Sequence, residues 1–325
     1  MPVMNWHASK RKEEGHLSIL FYNNSNGANR LYNVDDQGHI TQVNATLNLG
    51  SGWTHIVPCS VYSQQLPYNL VLLCYNKNNG AAKFFSLDNA NHLTQLSSTT
   101  YSTGWTHIIH GFFAEASSNE SLLFYNANSG LAQFYTTDGQ GGINQLSSST
   151  YSKGWTHIVP GWYTVFTPSG PGERTSDLLF YKGSSGLAQF YGTDGQVGIN
   201  QISSSTYSTG WTHIISGIFV AGYTNTALFF YNGNSGLAQF YTTNGQGGIN
   251  QLSSSTYSKG WAQIVDFPGP PSNIPDTGNP DRLLFYNSGS GLAQVYITDN
   301  HGGINELSNN NVYSGWSQAE WLANS

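Results

Sequence analysis

Tyr101-Ser102-Thr103-Gly104-Trp105-Thr106-His107-Ile108 returns, lightly edited, along the whole chain. A Gly-Trp pair marks each copy, at Trp53, Trp105, Trp155, Trp211, Trp261 and Trp316. The intervals are roughly 50–56 residues, a period that signals a repeat architecture and settles the fold before any local reading. A site built from repeated residues is itself repeated, so the period also predicts a multivalent protein.

One copy, read as strands, defines the unit. Trp105 to Phe113 alternates and is rich in β-formers, and a polar loop follows from Ala114 to Asn119. Ser121 to Tyr125 is a second strand, Asn126 to Gly130 a turn, and Leu131 to Thr136 a third strand. Asp138-Gly139 opens a hairpin turn, because Asp and Gly tolerate the positive φ it needs. Ile143 to Ser148 is the fourth strand. Four short antiparallel strands in about 50 residues make the blade of a β-propeller.

The second strand ends on a Tyr six times, at Tyr22, Tyr75, Tyr125, Tyr181, Tyr231 and Tyr286. The expected fold is therefore all-β, a single six-bladed propeller domain with four antiparallel strands per blade. The chain opens with strands two to four of a blade (Ser18 to Tyr22, Ala28 to Val34, Ile40 to Leu47) and closes with a lone first strand from Gly315 to Trp321. Joining the two closes the ring and leaves no open edge. The blades fall at residues 16–51 plus 315–325, 52–103, 104–153, 154–209, 210–259 and 260–314. Asn5-Trp6-His7 is the competing first strand; Trp316 is preferred because Tyr313 and Gly315 precede it as in other copies.

Composition narrows the partners. Charged residues are 9% of the 325, aromatics are 14%, and the net charge is −6. Lys and Arg total 11, with no basic run beyond Lys10-Arg11-Lys12, which argues against nucleic acid and against an anionic membrane surface. No apolar run approaches the ~20 residues of a membrane span. Residues 1–15 are polar and lack the apolar centre of a secretory signal, which predicts a cytoplasmic protein or one released without a classical signal. Cys59 and Cys74 fall on consecutive strands; two buried thiols are expected, with a disulfide the open alternative.

Loop lengths vary between strands one and two, at Thr167 to Thr175 and Gly269 to Asp281 above all, as insertions do. The opposite face is nearly constant. It carries the Asn126 to Gly130 turn and the Tyr151 to Trp155 crossing, pairing aromatic rings with neutral hydroxyls and amides. A sugar needs a plate for its C–H face and fixed donors and acceptors for its hydroxyls. Candidate sugar-binding residues are Trp53, Trp105, Trp155, Trp211, Trp261 and Trp316, then Tyr101, Tyr151, Tyr207, Tyr257 and Tyr313, with Asn126, Asn128, Asn232 and Asn234. Taken alone, the six Trp read more readily as packing between blades, and Asn-Ser-Gly as a turn. Leu49 replaces the crossing Tyr in the first blade.

His55, His107, His157 and His213 recur two residues after the Trp. Gln263 and Gln318 occupy that place in the other copies, and Gln is a poor metal ligand. A hydrogen bond to the neighbouring blade is therefore expected, with no metal. Asp138-Gly139, Asp194-Gly195 and Asn244-Gly245 lack the dense carboxylates of a calcium loop. The acids that break the repeat are Glu115, Glu120, Glu173, Asp177, Asp266, Asp276, Asp281, Glu306 and Glu320. They form no recognisable catalytic motif.

Leu122-Leu123-Phe124-Tyr125, Phe134-Tyr135-Thr136-Thr137-Asp138-Gly139-Gln140-Gly141-Gly142-Ile143 and Gly154-Trp155-Thr156-His157-Ile158-Val159-Pro160-Gly161 resemble the repeat of the PLL-type bacterial β-propeller lectins over essentially the whole chain. The resemblance implies inter-blade pockets for fucose or O-methylated sugars near Trp105, Trp155 and Trp211. The family has seven blades where six are counted here. Six-bladed fucose lectins use an Arg and a Glu in each site, of which this chain has too few. The expectation is a non-catalytic, multivalent lectin without cofactor, binding glycans on cell surfaces, as a monomer or homo-oligomer. A protein-interaction scaffold and a propeller glycosidase are the alternatives. An enzyme would show one odd pocket lined by carboxylates of shifted pKa.

Overall fold

The computed structural model describes residues 17–45, 47–61, 69–88, 90–114, 119–164, 175–194, 198–220, 225–269 and 280–322. Trp6 and its neighbours, and Glu115, Glu173 and Asp276, lie outside them. Six four-stranded antiparallel sheets form the wheel. The chain opens with β1 (Leu17–Tyr22), β2 (Asn29–Val34) and β3 (Ile40–Gln42). Complete blades follow as β4 to β7 (55–100), β8 to β11 (107–150), β12 to β15 (157–206), β16 to β19 (213–256) and β20 to β23 (263–311). The final strand, β24 (Gln318–Leu322), pairs with β1 from Ser18↔Leu322 to Tyr22↔Gln318 and completes the first blade. Trp316 thus leads the closing strand, as its Tyr and Gly context predicts.

Burial follows the radius. The second strand of a blade is buried on both faces, as at Ser121–Tyr125 and Ala227–Tyr231, which is why it reads as an unbroken apolar run. The third alternates, and the outermost is largely exposed along Ile143–Thr150. Hence Leu-Leu-Phe-Tyr inside and Ser-Ser-Ser-Thr outside. Each complete blade has a register shift between its third and fourth strands, as at Phe134/Tyr135, which bends the outer strand. At the turn after the second strand, Gly130 has φ +80°, and a Cβ there would stand 2.1 Å from the Tyr151 carbonyl oxygen. The hairpin Asp138 accepts the N–H groups of Gln140 and Gly142, both at 2.8 Å, so the turn accounts for this acid without calcium.

The first blade departs from expectation. Its outer strand stops at Gln42 rather than running to Leu47. Beyond Val43 the chain turns inward and buries Leu47 and Leu49, so that Leu49 fills the space between blades that the crossing Tyr borders elsewhere. Cys59 and Cys74 are free, buried thiols. Cys59 packs between the second and third blades and Cys74 between the first and second, so they lie on opposite faces of one sheet and do not meet.

Three tiers of side chain to backbone bonds join the blades. At the hub, the ring Nε2 of His55, His107, His157 and His213 reaches the carbonyls of Thr106, Thr156, Thr212 and Ala262 in the next blade, at 3.1, 3.2, 3.1 and 3.3 Å. Gln263 reaches Ser317 and Gln318 reaches Trp53, at 2.9 and 3.2 Å, completing the circle. Halfway out, Tyr75, Tyr125, Tyr181 and Tyr231 donate to the crossing carbonyls of Ser102, Ser152, Ser208 and Ser258. Near the rim, Ser97, Ser203, Ser253 and Ser308 donate to hairpin glycine carbonyls of the next blade. Each bond is worth about 0.5–1.5 kcal/mol net.

The hub bonds fix the histidine tautomer. A carbonyl only accepts, so Nε2 carries the proton, and Nδ1 accepts from the hydroxyl of Thr54, Thr106, Thr156 or Thr212. Burial lowers the pKa of all four rings. The unfolded chain, with His near pKa 6.5, then takes up protons first as pH falls. Stability from the neutral rings is fully present above about pH 6.5 and is lost as pH falls through that value towards the lowered folded pKa. Replacing all four with Gln, the residue the other two blades already use, should keep the fold. Its melting temperature should fall less than the parent's between pH 7.5 and 5; equal slopes would show that the ring histidines do not govern acid stability.

Candidate functional site

The indoles of the repeated aromatic rim are closed off from solvent. All six Gly-Trp indoles are buried, from 2% exposed at Trp105 and Trp155 to 6% at Trp53. Trp105, Trp155, Trp211 and Trp261 meet Phe124, Phe180, Phe230 and Phe285 edge-on at 5.6–5.7 Å, deep between blades. Tyr101, Tyr151, Tyr207 and Tyr257 are partly buried against the same cores. The hydroxyls of the last three are bonded to the backbone at Ile199, Ile249 and Ile304. Only Tyr313, at 60%, is open, and it lies under the Arg30 guanidinium at 5.6 Å. Asn126 and Asn232 close their own turns, accepting from Asn128 and Ser129 and from Asn234 and Ser235; Asn128 and Asn234 are exposed turn residues. Packing and turn formation engage these residues, and none of the six Gly-Trp indoles is open to stack on a sugar.

A concave feature lies at the other end of the axis. A cavity of about 430 Å³ opens among the innermost strands, on the face of the variable loops. Three residues after each hub His or Gln, the strands present Pro58, His110, Pro160, Ser216, Asp266 and Trp321 to it. The hub residues are alike, whereas these six all but differ from one another. The innermost strand is an edge facing the channel, which is why it tolerates proline.

Glu120 enters from the start of the second strand, and Asp281, at the same place in its own blade, is buried behind the wall. In four blades this position clamps the preceding blade. Glu120, Ser176, Thr226 and Asp281 accept the backbone N–H of Ser60, Phe112, Trp162 and Ile218, at 2.6, 3.1, 2.9 and 2.5 Å. A hydroxyl suffices for this bond in two of them, so the carboxylates add charge beyond what the clamp needs. Glu120 Oε2 also lies 3.3 Å from His110 Nδ1. Asp177 is structural instead: it accepts from the N–H groups of Tyr163 and Thr164 and from the Thr164 hydroxyl.

Two further carboxyl groups are tuned by their surroundings. Glu320 stands where the other inner strands carry Val57, Ile109, Val159, Ile215 and Val265. A carboxyl at an aliphatic position loses solvation, and burial pushes its pKa up to about 8, against a smaller opposing pull from His110. Part of its surface stays open to the cavity. Asp266 is raised well above its ordinary value, first by burial and then by the Asp281 charge. Its Oδ1 has no hydrogen-bond partner among the described residues, and a Cβ on Gly217 would stand 2.8 Å from it. His110, Glu120, Asp266 and Glu320 thus line one cavity with Trp162 and Trp321. Among the described residues no three His, Cys, Asp or Glu side chains converge to hold a metal.

Sequence reasoning noted Glu120, Asp266 and Glu320 as acids that break the repeat but found no pair among them. The available signal was Glu320 in Ala319-Glu320-Trp321, a carboxylate at a strand position that is aliphatic in every other copy. His110 escaped notice because it sits in the same strand as a recurring His.

No family model matches the chain, and no curated protein matches it significantly. Solved structures do. A candidate 6-phosphogluconolactonase from Bacteroides fragilis is similar at a TM-score of 0.54 and 10% identity, over 96% of this chain and 99% of its own. One from Bacteroides uniformis gives 0.55 and 12%, over 95% and 100%. A periplasmic gluconolactonase from Pseudomonas aeruginosa gives 0.53 and 12%, over 94% and 85%. At these identities the likeness shows the fold. The expectations of a lectin and of a chain without catalysis are corrected here: the neighbours bear the names of gluconolactonases, and the six indoles predicted to stack on sugar are sealed between blades.

If the indoles are core, removing one is a stability lesion. Trp155→Ala should cost about 3–5 kcal/mol, read from the denaturant midpoint. A loss below 1 kcal/mol would mean that the indole is not packed as described.

Proposed function

We propose that the protein is a hydrolase of small cyclic esters, with aldonolactones as the best-fitting class, acting in the axial cavity. One observation carries the reading. A carboxyl held protonated near neutral pH, Glu320, shares a single cavity with a carboxylate–imidazole pair, Glu120 and His110. Groups whose environments drive their proton affinities apart are the signature of paired acid and base roles. The names of the fold neighbours supply the substrate class and agree with a cavity of this size.

In this mechanism Glu120 orients the imidazole through Nδ1, and His110 Nε2 accepts a proton from water as its oxygen attacks the lactone carbonyl carbon. The bond from that carbon to the ring oxygen then breaks. Glu320 gives its proton to the departing ring oxygen, and the product is the open hydroxy acid. Exchange with solvent returns the proton from His110 to Glu320. Trp162 and Trp321 flank the substrate.

The acid role has a definite sign. Glu320 is a proton donor below about pH 8 and a carboxylate above it, so the enzymatic rate, corrected for spontaneous hydrolysis, should fall as pH rises through that value. The charges facing Glu320 in the cavity are His110, Glu120 and Asp266, with Asp281 behind. Glu320→Gln should lower kcat by about 10²–10⁴-fold and abolish the alkaline limb. A pH-stat assay on an aldonolactone checks both. No acceleration over buffer between pH 6 and 9, on this or other small lactones, would remove the hydrolase reading.

A further inference from the structure

We propose that the cavity selects an uncharged, monosaccharide-sized lactone and rejects its 6-phosphate. The proposal deepens the hydrolase reading and takes the word lactone from it, but it concerns what the walls bind. Two of the fold neighbours are named for phosphorylated lactones. The lining here does not provide what a phosphate needs.

A phosphate monoester carries a charge of about −1.5 to −2 near neutral pH and needs cations or a fan of N–H donors. Among the described residues no lysine or arginine lines the cavity, and the one basic side chain there is His110, which faces Glu120. The described cations lie elsewhere. Lys153 and Lys182 lie beside glycines of the constant turn face, at the other end of the axis. Arg282 is fully buried at the junction with the first blade. It donates to the carbonyls of Pro268 and Asp35 and packs over the Phe267 ring at 4.9 Å. Meanwhile Glu120, Asp266 and Glu320 all belong to the wall. A dianion placed among them would be desolvated with nothing to pair it, which is strongly unfavourable.

The same wall suits a neutral polyol. Phe112, Trp162 and Trp321 supply aromatic surface for C–H groups, and Ser60 and Ser216 line the cavity with the carboxyl groups. Protonated carboxyls donate to hydroxyl and carbonyl oxygens without adding charge. The 430 Å³ lies at the small end of the range for ligand sites, so a single sugar ring with its substituents fills most of it.

Binding and turnover separate this proposal from the hydrolase reading. The probe is a hexonolactam, the amide counterpart of the lactone, which resists hydrolysis, together with its 6-phosphate. Isothermal titration of the full chain should show the neutral lactam bound at least ten-fold more tightly than the phosphate. Trp321→Ala should weaken it by ten-fold or more. Trp162→Ala, on another blade, gives a second reading if the first variant fails to fold. Equal or tighter binding of the phosphorylated lactam overturns the proposal while leaving hydrolysis open; Arg174→Ala then tests whether that residue, outside the described part of the chain, supplies the missing cation. Absence of neutral-lactam binding up to millimolar concentration also overturns it. Lactam binding without lactone turnover would uphold the selectivity and remove the hydrolase.

Discussion

The wheel depends on one repeated contact: a side-chain nitrogen at the hub donating to a backbone carbonyl of the next blade. Six such bonds close a circle, four from histidine and two from glutamine. A blade alone cannot bury its second strand on both faces, so it is stable only between neighbours. The hub bond sets the angle at which those neighbours meet, and the apolar clusters fill the wedge that the angle leaves. The interchange of His and Gln shows what the position requires, a nitrogen donor of fixed reach, and it frees the imidazoles from any need to bind metal.

Most of this was legible in the sequence. The Gly-Trp period gives the blade count. The unbroken Leu122-Leu123-Phe124-Tyr125 marks the doubly buried strand, and the substitution of Gln263 and Gln318 for histidine discloses the structural role of the ring. The end of the first blade's outer strand was not legible. Val43 to Leu47 has the composition of a strand, but Leu49, in place of a tyrosine, draws the chain inward, and only packing decides that.

The site was hidden by the same repetition that revealed the fold. Recurrent residues attract attention as candidate ligands, yet in a wheel they are the ones every blade needs for assembly. The candidate site sits where the copies disagree. Here the disagreements are single letters inside the innermost strands: His110 against Pro160 and Ser216, Asp266 against Trp321, Glu320 against five aliphatic residues. Each is unremarkable in its own segment. His110 and Glu320 are far apart along the chain, and only closure of the ring brings them to one cavity, so no local motif records them.

That closure links assembly to the cavity. The acid of the cavity rides on β24, the strand that seals the first blade. During synthesis, five blades and three strands of the sixth precede it through the ribosome, and until it docks the cavity lacks both Glu320 and Trp321. Until then the wheel holds an unfinished pocket without this carboxyl, and the strand that closes the ring also completes the cavity wall.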